Sequence, residues 1–268
     1  MTARLAITNQ KGGVGKTTTA INLGSTLGKR QRRVLLVDLD PQANATGGLG
    51  QPKDEPASMY QVLLEGLPLG DAVRPTGFEN LDLAPASVAM AGAEVELVPQ
   101  LARESRLRDA LRTVEGRYEV ILVDCPPSLG LLTINALTAC SDVLIPLQCE
   151  YYSLEGLAQL INAIELVKER LNPELHVFGV LMTMEDRRNR LAVQVVQDVR
   201  RHFPKEVFHT RIPRSVRLAE APSHGKPVDE YDPSSRGALA YGDLAREVLS
   251  RLRAERAIEV PVPVAAHG

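Results

Sequence analysis

The sequence predicts a single α/β domain in which a mostly parallel, twisted sheet is flanked by helices. Three observations carry that prediction. Strand-like and helical apolar patterns alternate along the chain without a Pro/Gly/Ser-rich linker between them. Two runs, Val34-Leu35-Leu36-Val37 and Val120-Ile121-Leu122-Val123, are apolar at every position, as strands covered on both faces are. The 268 residues are 44% hydrophobic and 24% charged, which is ordinary for a globular protein. No apolar run approaches the roughly 20 residues of a membrane span, and no secretory pattern opens the chain.

Taken in order, the first strand is Leu5-Ala6-Ile7-Thr8, with its start near Arg4, and a helical pattern begins at Thr19-Ala20-Ile21-Asn22-Leu23. Between them lies Gln10-Lys-Gly-Gly-Val-Gly-Lys-Thr-Thr18. Strand, glycine loop and helix form the setting of a P-loop. Gly12, Gly13 and Gly15 let backbone approach a polyphosphate, and the N–H groups around Val14 and the helix start supply a positive cradle. Lys16 would reach the terminal phosphates, Thr17 would ligate Mg2+ through its hydroxyl, and Thr18 completes the binding stretch. The usual pattern has glycine where this chain has Gln10, and it lacks the second cation, Lys11. The fold class is therefore narrowed to a single-domain P-loop NTPase.

The second strand, Val34–Val37, ends in Asp38-Leu-Asp40-Pro41-Gln42. Carboxylates at the carboxyl end of a buried strand sit where open α/β sheets bind ligands. Pro41 holds its neighbour extended and can aim Asp40, the candidate for orienting or deprotonating an attacking water. Asp38, nearer the strand, is expected to support the metal shell. A third strand, Val120–Val123, ends in Asp124-Cys-Pro-Pro-Ser128, where Asp124 would hold a Mg2+-bound water. Cys125, Cys140 and Cys149 have no metal-ligand spacing and read as packing residues.

Val177–Leu181 reads as another strand, followed by Glu185-Asp-Arg-Arg-Asn-Arg190 and a helix with Val193, Val196 and Val199 on one face. A short strand is expected around Val207–Ile212, before Pro213-Arg214 and Arg217. The net charge of −2 is unevenly spread: residues 181–220 hold nine Lys/Arg against five Asp/Glu. Such a region is a candidate polyanion surface. An amphipathic helix, Leu244–Arg256, closes the domain at 1–256, and 257–268 reads as a flexible tail.

With these pieces in place, the chain resembles the ParA/Soj chromosome- and plasmid-partitioning ATPases of the deviant Walker A superfamily. The resemblance rests on Lys11–Thr18, Asp38–Gln42, Asp124–Ser128, Gln148-Cys-Glu-Tyr-Tyr-Ser153 and Pro213–Gly225, and runs from about residue 3 to 252. It implies ATP and Mg2+ as cofactors and slow hydrolysis to ADP and phosphate. It also implies an ATP-dependent sandwich homodimer in which Lys11 reaches the partner's phosphates, with Glu150 at the dimer interface. Arg188 and Arg217 match positions that bind double-stranded DNA without sequence preference; Arg187, Arg190, Arg200 and Arg214 could extend that surface. Alternatively, Pro213 and Arg214 lie near the adenine. A ParB-like centromere-binding partner is expected to stimulate hydrolysis, and the location is expected to be cytoplasmic and nucleoid-associated. The early first strand implies the short family form, without an N-terminal operator-reading domain.

Two other readings share the glycine loop. A MinD-like, membrane-associated division ATPase needs a C-terminal amphipathic helix free to meet lipid, but Ile258–Gly268 has no Lys, Arg or aromatic residue. A metal-cluster protein needs interface cysteines, and only Cys125 adjoins a candidate loop.

Overall fold

The computed structural model describes residues 2–150, 153–186 and 190–259. Seven strands form one sheet: β1 (Ala3–Ile7), β2 (Val34–Asp38), β3 (Arg74–Pro75), β4 (Leu81–Ala84), β5 (Val120–Asp124), β6 (Asp142–Gln148) and β7 (His176–Thr183). Their order is β3-β4-β2-β5-β1-β6-β7. Every neighbouring pair is parallel except the short edge pair β3 and β4. Each parallel step needs a crossover, and helices supply those crossovers on both faces.

The unbroken apolar runs follow from this sandwiching. Leu5, Ile7, Val34, Leu36, Val120 and Leu122 join one core layer, while Ala6, Leu35, Val37, Ile121 and Val123 join the other. Alternate residues thus point to opposite faces, and both faces are dry. One layer is covered by the helices Lys16–Lys29 and Arg236–Glu259, which pack on each other. The other is covered by helices that include Arg106–Arg112, Leu131–Ala139 and Ser153–Arg170. Leu244, Val248 and Leu252 of the long C-terminal helix are buried in the first layer, so its apolar side faces the sheet, not lipid. Among the described residues no helix is long and apolar enough to cross a membrane.

One expected strand does not form. Segment 207–212 runs beside β7 without forming a continuous ladder: Val207 makes an isolated bridge to Val180, and Pro213 makes another to Glu185, past the end of β7. The Phe208 N–H donates to the Val180 carbonyl at 3.0 Å and that of Ile212 to Met182 at 2.9 Å. Four residues therefore oppose two on β7, and the surplus bulges out. The bulged N–H groups of His209 and Thr210 donate instead to the Glu247 carboxylate, at 2.9 and 3.0 Å.

Candidate nucleotide site

Register assembles the site. Ile7 of β1 pairs with Asp124 of β5, and Asp124 pairs with Asp38 of β2. Three adjacent strands therefore end level, and the loops that follow them start from one edge of the sheet. The ladder extends past the strands, with Cys125 N–H donating to Ile7 and Leu39 N–H to Asp124, at 3.2 and 3.0 Å.

The glycine loop is held in shape by side chains from its own and neighbouring strands. The Asn9 carboxamide donates to the Pro146 carbonyl at 2.8 Å and accepts the Lys11 N–H at 3.0 Å. Thr183, at the end of β7, donates its hydroxyl to the Val14 carbonyl at 2.8 Å, and Gln148 donates to Gly13 at 3.4 Å. Gly13 and Gly15 have φ of 72° and 92°, a region that penalises any Cβ. A Cβ at Gly12 or Gly13 would meet nothing within 4 Å, so the loop presents bare backbone to open space. The helix Lys16–Lys29 starts at its end, with its first N–H groups and dipole directed at that space.

Lys16 is buried and donates to the Lys11 carbonyl at 3.2 Å, folding its ammonium across the loop. Burial lowers its pKa, while Asp124, Cys125 and Asp40 pull the other way. Lys11 points elsewhere: its ammonium meets Glu150 of the same chain at 2.6 Å, with both side chains part-exposed. The two residues expected at an interface therefore meet first within one chain.

The carboxylates play different parts. Asp38 is fully buried and saturated: Oδ1 accepts the Asp40 N–H at 3.1 Å, and Oδ2 accepts the N–H and hydroxyl of Thr46 at 2.8 and 2.7 Å. Burial still pushes its pKa up to about 6, against the pull of Thr46. Asp38 thus anchors the loop that carries Asp40. Asp40 accepts the Gln42 N–H at 2.9 Å through Oδ1 and is 7% exposed.

Asp124 is the opposite case. Both its oxygens are buried and, among the described residues, neither has a hydrogen-bond partner of good geometry. Burial raises its pKa strongly, Asp38 and Asp40 add repulsion, and the Thr17 hydroxyl and Lys16 favour its charge. An orphaned, buried carboxylate beside a hydroxyl and two further carboxylates is a place where a divalent cation would relieve repulsion. Among the described residues no cluster of three or more His, Cys, Asp or Glu forms a complete metal cage.

Pro213 and Arg214 lie beside Glu185, just past the end of β7, with the Arg214 N–H 3.4 Å from the Glu185 carbonyl. They are thereby brought to the Thr183 side of the glycine loop. Arg187 and Arg188 lie outside the described residues, and Arg190 opens the helix Arg190–His202. Arg217 is exposed but pairs with Glu220 and Asp232. The three cysteines are buried free thiols, and burial pushes that of Cys149 up to about 11, in line with packing roles. Thr46, Thr183 and Asn9 were not singled out by sequence; only Asn9, directly before the glycine loop, carried a positional signal.

Comparison with known proteins agrees with this geometry. The family described as AAA domain matches residues 2–177. The chain is 57% identical over 245 residues to the sporulation initiation inhibitor protein Soj of Bacillus subtilis, covering 91% of this chain and 97% of that protein. It is 54% identical over 248 residues to the chromosome partitioning protein ParA of Myxococcus xanthus, covering 92% and 88%. A solved structure titled cobyrinic acid a,c-diamide synthase, from Mycobacterium smegmatis with bound ATP analogue and magnesium, superposes with a TM-score of 0.84. It shares 39% identity, over 96% of this chain and 98% of that one. On its glycine loop, its strand-end aspartates and these relatives, the chain belongs to the Soj/ParA family of partitioning proteins.

Proposed function

We propose that the protein is a DNA-segregation ATPase. With ATP and Mg2+ it forms a sandwich homodimer that binds double-stranded DNA non-specifically. Hydrolysis, stimulated by a ParB-like partner, then releases it, so that its place is the cytoplasm and the nucleoid. The observation that supports this most is the level ending of β1, β2 and β5, which gathers the glycine loop, Asp38, Asp40 and Asp124 at one edge. The names of the relatives supply the biological context.

Bound Mg·ATP would supply a phosphoanhydride and a neutralising charge. Thr17 and the unpartnered Asp124 would hold the cation, the latter through water, with Asp38 acting through its loop. Residues 12–18 would cradle the phosphates and Lys16 would neutralise them from its buried position. Asp40 would orient the attacking water. Lys11 would leave Glu150 and reach the partner's phosphates, as a finger supplied in trans does. An ion pair this exposed contributes only about 0–1 kcal/mol, so that exchange is easily driven.

DNA binding would be electrostatic, through Arg217 with Arg188, Arg187 and Arg190. Two weak patches on one dimer then bind jointly, which ties affinity to the ATP state. Pro213 and Arg214 would lie on the adenine side; their position beside Glu185, just past the end of β7, supports that reading.

The test is binding to a non-specific duplex with ATP, with ADP and without nucleotide, with Asp40→Ala holding the ATP state. Binding with ATP alone, weakened by salt, supports the switch. Equal binding in all three states, or none in any, refutes it.

A further inference from the structure

Arg217 sits on the helix Val216–Glu220, and its guanidinium is engaged twice. One terminal nitrogen donates to Glu220 Oε2 at 2.9 Å, and Nε faces Asp232 Oδ2 at 3.2 Å. Two carboxylates thus share one guanidinium, so these three groups together carry a net negative charge. Both acids are themselves held in place. Glu220 Oε2 also meets the Tyr231 hydroxyl at 3.4 Å, and Tyr231 stacks on His224 with ring centroids 4.8 Å apart. Asp232 Oδ1 accepts the Ser234 hydroxyl at 3.1 Å. It follows the helix Val228–Tyr231, whose Val228 is buried and donates its N–H to Asn22 at 2.6 Å. Both acids are thus tied to neighbouring groups, yet the Arg217 side chain stays 52% exposed and within reach of a macromolecule.

We propose that Glu220 and Asp232 are a brake on DNA binding, competing with backbone phosphates for the Arg217 guanidinium. The inference rests on the DNA-binding reading of Arg217. A phosphate must replace two carboxylates that then remain within a Debye length as like charges. The affinity of one subunit is held down, and two subunits acting together become necessary.

The experiment measures binding to a non-specific duplex over a range of salt, in the ADP and ATP states. It compares wild type, Glu220→Gln, Asp232→Asn, the double variant, Arg217→Ala, and Arg217→Ala combined with both neutralisations. The amides keep shape and hydrogen-bonding capacity, and either single variant suffices if the double variant folds poorly. The double variant is expected to bind about tenfold more tightly in the ADP state, a modest gain because both ion pairs are solvent-exposed. Its salt slope should steepen by about 0.9, the value for one further phosphate contact. The gain should vanish when Arg217 is alanine.

A gain of equal size without Arg217 would overturn the brake, because the acids would then act as general negative charge. No gain, with Arg217→Ala still weakening the wild type, would also overturn it while leaving Arg217 as a DNA contact. No effect of any variant, Arg217→Ala included, would overturn the DNA-binding reading itself.

Discussion

Thr46→Val probes the joint on which the loop carrying Asp40 hangs. Thr46 is fully buried; its hydroxyl donates to Asp38 Oδ2 at 2.7 Å and accepts the Ala86 N–H at 3.0 Å. Valine keeps the volume and the backbone bond to Asp38 but removes both hydroxyl bonds. A hydrogen bond to a charged group contributes about 1.5–3 kcal/mol and an unpaired buried amide costs about 1–3 kcal/mol, so the expected loss is roughly 3–5 kcal/mol. At about 2–4 °C per kcal/mol, Tm should fall by roughly 6–20 °C. The pH dependence adds a signature. Asp38 has a folded pKa pushed up to about 6, above its unfolded value, so the folded state binds more protons and stability falls as pH rises through that window. Losing the Thr46 hydroxyl pushes Asp38 higher still, so the deficit of the variant should widen from pH 5 to pH 7. The assay is urea unfolding at both pH values with an unchanged m-value, and Thr46→Ser, which keeps both bonds, should lose far less. A loss below about 1 kcal/mol at pH 7, where two buried bonds should count in full, or a deficit independent of pH, would refute the account of Asp38.

Three further outcomes are expected. Glu247 accepts the N–H groups of His209 and Thr210 and a bond from Arg251 at 3.0 Å; burial opposes its charge, but these donors hold its pKa below the usual value. That contribution is present above the unfolded carboxylate pKa and is lost as pH falls through the folded one. Glu247→Gln should therefore cost about 1–2 kcal/mol at pH 7 and converge on wild type below about pH 4 in calorimetry. Asp124→Asn removes a buried, repelled charge, so the nucleotide-free protein should melt no lower than wild type while the Mg2+-dependent part of its ATP-induced thermal shift disappears. A retained Mg2+ effect would show that Asp124 is not on the metal path. At Gly225 φ is +64° and an added Cβ would lie 2.7 Å from the Gly50 Cα. Gly225→Ala should destabilise by about 2–4 kcal/mol in urea, combining left-handed strain with a backbone clash; a neutral result would deny the close approach.

Much of the site was legible because its chemistry is local. The glycines that need positive φ, the lysine and threonine behind them, and aspartates closing all-apolar strands each state their surroundings within a few residues. Segment 207–212 was not legible: its composition is that of a strand, and the carboxylate that captures its bulged amides comes from Glu247, on a distant helix. The engagement of Arg217 was half legible. Glu220 stands one helical turn away, whereas Asp232 arrives through a separate turn of chain.

By itself the sequence determined the α/β class, the glycine loop between strand and helix and the aspartates that close the buried strands, because periodicity and turn stereochemistry are written in neighbouring residues. Tertiary structure alone decided that β5 inserts between β1 and β2 and brings Asp38 level with Asp124. It also decided that Asp38 is saturated while Asp124 is orphaned, and that Lys11 meets Glu150 across 139 positions of chain. These depend on strand order, register and the reach of long side chains, which arise only when elements far apart in sequence pack together.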